Sequence, residues 1–461
     1  MSKEENKVDA GITIGGEVEY ETETSRRNIF FWAMYDLANT IYSMVIVSLI
    51  IGRYVLVVGQ SPPYSLDYGV VSFIYGLVSF LMQIGVAICV PILGALSDNV
   101  GKRKPFVISL TGIIILFASM IGFFQNNLTI ILLFYVIANV AYQFSLTFYD
   151  AMLPFIAKRE DIGKVAGFGV AWGYLGTILA LIVMYPLILI LGDTVSTPPV
   201  EYGFTGYWFT FVVPMVLFLV CAIPFLYVRE KERKGDRPPI GQLIKNTFRQ
   251  LRDTFRDIRK HRSMFIFIIG YFFVADIANV IVLYMTPIVT DGLIIGGGST
   301  LFAILFIIIS TMSAVAFTYF VGKFGDKYGA KNTFLLVGAL WGTSLTIGVV
   351  LIFATSSIDI GLNAPFILSL IMGIVAGPAL GGTWTAQRIM VIELAPKEKF
   401  GEFFGFSKLS GKLSSALGPF IWGTVMLSYS LIGKAAYGWA MISVGIIMGI
   451  GIYIISLVKR E

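Results

Sequence analysis

The chain has 461 residues, 56% hydrophobic and 13% charged, with a formal net charge of +6, one histidine and two cysteines. Soluble domains carry about a quarter charged residues, so this composition excludes a soluble protein and predicts one that crosses a bilayer many times. With His261 in a basic loop and Cys89 and Cys221 inside apolar runs, a disulfide framework, a His/Cys metal centre and a histidine proton relay are all excluded.

Residues 1–28 hold mixed charges and no apolar core, which predicts a disordered cytoplasmic tail rather than a signal peptide. Twelve apolar stretches follow, near 29–52, 68–96, 106–125, 128–149, 165–192, 206–228, 263–290, 299–321, 333–354, 361–387, 403–428 and 435–458. Each predicts a helix, because lipid offers no partner to a free backbone group. The last has no charge and would reach about 36 Å as a helix, enough to span a bilayer. The expected fold is an all-α membrane protein with twelve transmembrane helices in two pseudo-symmetric six-helix bundles, 29–228 and 263–461.

Between the bundles, 229–262 forms a basic linker. Ile244, Phe248, Leu251, Phe255 and Ile258 recur at helical spacing with Lys245, Arg249, Arg252, Arg256 and Arg259 between them. That pattern predicts an amphipathic helix over 241–262, suited to the anionic inner leaflet or to packing beneath the bundle. All 34 bases except Arg53 and Lys434 fall on the side of the termini and this linker. Both termini are therefore expected in the cytoplasm. The positive charge belongs to one membrane face, and nucleic-acid binding is not its explanation.

Two phrases show internal duplication. Tyr35-Asp36-Leu37-Ala38-Asn39 in the first span returns as Ala275-Asp276-Ile277-Ala278-Asn279 in the seventh. Asp276 is the only charge between Arg262 and Asp291, and an intramembrane charge costs about 2.5–3.5 kcal/mol even on insertion scales, so it marks a pathway or a partner. After the second span stand Gly94, Asp98, Gly101, Lys102 and Arg103; after the eighth stand Gly322, Asp326, Gly329 and Lys331. Two halves in the same order and orientation are parallel repeats.

The loop G-x-L-S-D-x-x-G-K-R-K resembles the cytoplasmic signature of the major facilitator superfamily. The resemblance implies that the loop acid meets a helix end of the other half and that the bases tie neighbouring helices. Trp32-Ala-Met-Tyr-Asp36-Leu-Ala-Asn39-Thr-Ile-Tyr42, Phe148-Tyr-Asp150-Ala-Met-Leu-Pro154 and Glu402-Phe-Phe-Gly405 resemble the vacuolar amino-acid effluxer-like branch, related to autophagy-linked permeases. Asp150 stands where that branch commonly has asparagine. By resemblance, the first, fourth, seventh and tenth helices face a central cavity, and the solute is an amino acid or similar small molecule.

Asp36, Asn39, Tyr42, Asp150, Asp276, Asn279, Arg388 and Lys412 are the expected pathway residues. Asp36 and Asp276 are candidates for substrate recognition or proton coupling, against the plainer reading of fixed partners in a buried network. Asp150 is expected near Arg388, and Lys412 near Asp98 or Asp150. No Gly-Lys pair is followed by Ser or Thr, so there is no phosphate-binding loop. No cofactor and no enzymatic activity are expected. The expectation is thus a monomeric secondary transporter of a prokaryotic plasma membrane, working by alternating access. A passive uniporter and a non-transporting sensor or scaffold are the alternatives.

Overall fold

A computed structural model describes residues 25–99, 102–124, 127–157, 162–191, 208–230, 239–293, 300–357, 363–395 and 400–459. Every regular element there is a helix. The first half comprises α1 (Arg26–Gln60), α2 (Tyr68–Asn99), α3 (Lys104–Ile121), α4 (Leu128–Asp150), α5 (Ile162–Leu191) and α6 (Trp208–Tyr227). The linker forms α7 (Ile240–Lys260). The second half comprises α8 (Arg262–Gly292), α9 (Thr300–Tyr328), α10 (Ala330–Ser357), α11 (Asn363–Leu394), α12 (Phe400–Met426) and α13 (Ala435–Ser456).

Among the described residues, eleven helices are long and apolar enough to cross a bilayer. The twelfth expected span, α12, has 27 residues and the length to cross, but Lys408 and Lys412 interrupt its apolar run. The first span also differs from expectation: α1 continues through a π-helical stretch at Tyr42–Ile51 to Gln60, which brings Arg53 inside the helix. The expected tail at 1–28 falls almost wholly outside the described residues, as do Gly101 and the side chains of Gly94, Asp98 and Asp326.

The halves meet by exchange. The second helix of each half packs on the fifth of the other, α2 on α12 and α9 on α5, and α1 packs on α8. This is the contact pattern of a two-fold axis along the membrane normal.

Contact is closest at the end away from the termini. A Cβ on Gly76 of α2 would collide with the Pro419 carbonyl of α12, one on Gly69 would collide with the Met426 carbonyl, and one on Gly423 would lie 3.1 Å from the Phe73 Cα. Small residues let these backbones touch. At the same end, Arg53 of α1 pairs with Asp291 of α8, and their side chains are only 16% and 9% exposed. Tyr68 donates to Asp291 at 2.8 Å and meets the Tyr437 hydroxyl, while Thr286 donates to the Ser48 carbonyl at 2.7 Å. Toward the termini, by contrast, Asp150 of α4, Arg388 of α11 and Lys408 of α12 are all exposed. The molecule is shut at one end and parted at the other.

Removing one member of a buried ion pair costs about 3–5 kcal/mol. Arg53→Ala and Asp291→Asn are therefore each expected to destabilise the closed end. Their double mutant should fall short of the sum by about 0.5–3 kcal/mol in thermal unfolding. Strict additivity would show that the pair holds nothing.

The repeated loops act as helix clasps. Gly329 takes a positive φ of 84°, open to glycine, and turns the chain from α9 into α10, whose first amide, that of Ala330, donates to Glu393 at 2.9 Å. Lys331 donates to the Val458 carbonyl at 3.1 Å, and Gly322 faces Thr385 of α11. In the first half, the Arg103 and Lys104 amides donate to the Glu230 carboxylate at 2.8–2.9 Å. The Arg103 guanidinium lies 3.5 Å from that carboxylate and over the Phe155 ring. Glu230 thus caps the start of α3. Lys102 is exposed.

Candidate functional site

Asp36 and Asp276 each sit on the first helix of a half, facing the fifth. Opposite Asp36, α5 presents Gly169 and Gly173, and a Cβ at 169 would lie 2.9 Å from the carboxylate. Opposite Asp276, α12 presents Gly418, whose amide donates to Oδ1 at 2.8 Å. The missing side chains make room for the acids, so the glycine stripe and the carboxylate form one device.

The two acids differ in access. Asp36 is partly exposed and accepts from Asn39 at 3.4 Å. Asp276 is 1% exposed, closed between α8 and α12, and its Oδ2 has no hydrogen-bond partner among the described residues. The expected equivalence of the two phrases stops there, since Asn279 turns to the Ala275 carbonyl of its own helix at 2.9 Å. Tyr42 is wholly buried against the Tyr142 ring, its hydroxyl unpaired among the described residues.

Nearer the parted end, long side chains of α4 and α12 reach toward each other between the halves. Gln143 and Asp150 are two helical turns apart on α4; Lys408 and Lys412 are one turn apart on α12. Lys412 donates to Gln143, and Lys408 lies 3.6 Å from Asp150. The expected partners are thereby corrected. Asp150 meets Lys408 rather than Arg388, because the long lysine side chain reaches across from α12. Lys412 meets an amide, and among the described residues no carboxylate lies in ion-pair distance of it. Arg388 of α11 is exposed, within electrostatic reach of Tyr174 on α5 and Tyr271 on α8.

Lys408 and Asp150 are 53% and 61% exposed, so water screens their attraction. Exposed pairs contribute about 1 kcal/mol or less. Asp150→Asn is expected to change thermal stability by less than that amount. A larger loss would mean the carboxylate is held more tightly than this geometry allows.

Above these charges an apolar recess lies between the halves, lined by Met44, Tyr174 and Thr177 from the first and by Phe306, Ser310 and Trp341 among others from the second. The Ser310 hydroxyl is buried there without a partner among the described residues. Gln143, Lys408, Tyr174 and Ser310 were not among the expected pathway residues. The signal that could have found Lys408 is its place one turn from Lys412, a like-charged pair that calls for an acid nearby. The cleft therefore bears an acid on the first-half wall, Asp150, with the partly exposed Asp36 within its electrostatic reach, and bases on the second, Arg388, Lys408 and Lys412. Among the described residues no cluster of His, Cys, Asp or Glu could hold a metal ion.

Known proteins agree with this architecture. The family model described as "Vacuole effluxer Atg22 like" matches residues 66–461. The chain is 26% identical to the uncharacterized MFS-type transporter YxiO of Bacillus subtilis, across 93% of this chain and 94% of that protein. It is 24% identical to autophagy-related protein 22 of Yarrowia lipolytica, across 70% of this chain and 55% of that one. Among solved structures, the nucleoside transporter NupG superposes with a TM-score of 0.68 at 15% identity, covering 95% of this chain and all of that one. The D-xylose-proton symporter gives 0.66 at 14%, covering 94% and 98%. These likenesses show the fold alone, while the family match spans most of the sequence. The chain belongs to the Atg22-like vacuole effluxer family and is a transporter of the major facilitator type.

Proposed function

We propose that this transporter moves a small zwitterionic solute, with neutral amino acids the leading class, by alternating access around the cleft between its halves. The supporting observation is the opposite charge of the two walls. An ammonium group would face Asp36 and Asp150, and a carboxylate would face Lys412 and Arg388. Lys412 carries the assignment, since it points across the cleft with an amide as its partner and has a charge to offer an anion.

With both termini in the cytoplasm of a prokaryotic cell, the parted end opens inward and the Arg53–Asp291 end closes the outside. Coupling to protons is the companion proposal. Asp276 has one oxygen bonded to the Gly418 amide and the other unpaired, so it could take up a proton without displacing a protein partner. Asp276→Asn is expected to flatten the pH dependence of transport in vesicles; an unchanged profile would assign Asp276 a structural role and leave uniport as the reading. The protein is expected to act as a monomer.

A ligand-stabilisation screen tests the substrate class, because a binder of the native state raises its melting temperature. Neutral amino acids should stabilise the protein, and amines or acids lacking the second charge should not. Stabilisation by nucleosides or pentoses alone would overturn the assignment.

A further inference from the structure

The linker helix α7 does not rest on one half. It packs on α2 of the first half and on α8 and α12 of the second. Its face against the bundle is Ile244, Thr247, Leu251, Thr254 and Ile258, with Thr254 and Ile258 buried. This differs from the expected apolar face. The helix is rolled so that small threonines fit beneath the bundle, and Phe248 and Phe255 are left 46% and 40% exposed on the flank.

That flank is chemically distinct. At 100° per residue, Arg259, Arg252, Lys245, Arg256 and Arg249 fall within an arc of about 80°, directly beside Phe255 and Phe248. All five bases are exposed. Asp253 and Asp257 project beyond the far side of that arc. Phe255 stacks on Phe406 of α12 and packs edge-on to Phe265 of α8, residues at the ends where those helices enter the membrane. His261, in an extended conformation, separates α7 from α8, which sets the end of α7 at the bilayer surface.

We propose that α7 docks on an anionic bilayer surface through this basic and aromatic flank and, by bridging α2 and α12, couples leaflet charge to the balance between the two access states. A leaflet of anionic phospholipid supplies both things the flank needs: phosphate charge for the bases and an interfacial apolar layer for the rings. Because α2 and α12 are also the helices that touch at the closed end, a clasp fixed across their parted ends favours the conformation seen here. The inference stands apart from the identity of the solute.

Hydrogen–deuterium exchange of the full chain in lipid nanodiscs tests it without a substrate. In phosphatidylcholine containing phosphatidylglycerol, α7 amides should exchange at least about tenfold more slowly than in phosphatidylcholine alone. Amides at the closed end, around Gly52–Gln60, should slow in parallel. A variant carrying Arg249→Gln, Arg252→Gln and Arg256→Gln, all exposed and removed from the packed face, should lose both differences. Asp253→Asn with Asp257→Asn, on the opposite flank, should keep them. Exchange in α7 indifferent to phosphatidylglycerol, or a triple variant that retains the full difference, would overturn the docking. Slowing of α7 with no change at the closed end would overturn the coupling.

Discussion

Gly76→Val is expected to spring the closed end. The Gly76 position leaves no space for a side chain: a Cβ would collide with the Pro419 carbonyl and approach the Gly423 Cα and the Tyr284 hydroxyl to 3.2 Å. Backbone carbonyls cannot swing aside as a flexible side chain can, and overpacking of this kind typically costs about 1–3 kcal/mol, occasionally more. Valine adds two methyl groups beyond the Cβ, which puts the cost at the upper end. About 3 kcal/mol is a shift of roughly a hundredfold between the closed and open arrangements of that end. A cysteine in place of the buried Ser72, in a background without Cys89 and Cys221, reads the effect through an impermeant maleimide. Labelling should rise sharply in Gly76→Val. Gly85→Val, nine residues along the same helix with open space around it, should leave labelling unchanged. Equal labelling in both would mean that α2 and α12 do not form the seal.

Lys412→Gln is expected to abolish binding and transport while leaving the fold intact. Glutamine retains a hydrogen-bonding group for Gln143, so the local packing is served, and only the charge is lost. Loss of one partner of a desolvated charge pair typically costs about 2–5 kcal/mol. Affinity for a zwitterion should therefore fall about 30- to 5000-fold. Lys408→Gln, at an exposed position 3.6 Å from Asp150, should fall within a few-fold of the parent protein. Thermal-shift titration of both variants distinguishes them. Parental affinity in Lys412→Gln would remove the carboxylate-binding role and with it the polarised-wall explanation.

The sequence disclosed some parts of this molecule and hid others for physical reasons. Span positions were legible because lipid permits only internally bonded backbone, and the repeated Asp-x-x-Asn and Asp-x-x-Gly phrases revealed the two halves. What could not be read is which way each helix faces. In a soluble helix the polar face announces the solvent side, but here core and exterior are both apolar: Leu81 is 60% exposed and its neighbour Met82 is 7%. The sealing of Asp276 by Gly418 depends on that hidden facing.

Long-range pairs were hidden for a second reason. Arg53 and Asp291 lie 238 residues apart. Arg53 looked like a stray outer base because the apolar run weakens before α1 ends at Gln60. Its presence among outer acids was a clue to a pair, but not to which acid. In α7, the spacing identified an amphipathic helix, and Ile244, Leu251 and Ile258 do face the bundle, but it could not show that Thr247 and Thr254 complete that face and leave Phe248 and Phe255 on the flank.

Solute counterflow in reconstituted vesicles at several pH values reaches the central claim most directly. A labelled neutral amino acid should be drawn in by the same amino acid trapped inside, with exchange lost in Lys412→Gln and the pH dependence of net uptake lost in Asp276→Asn. Counterflow of a nucleoside or a pentose with none of any amino acid would contradict a zwitterion held between walls of opposite charge.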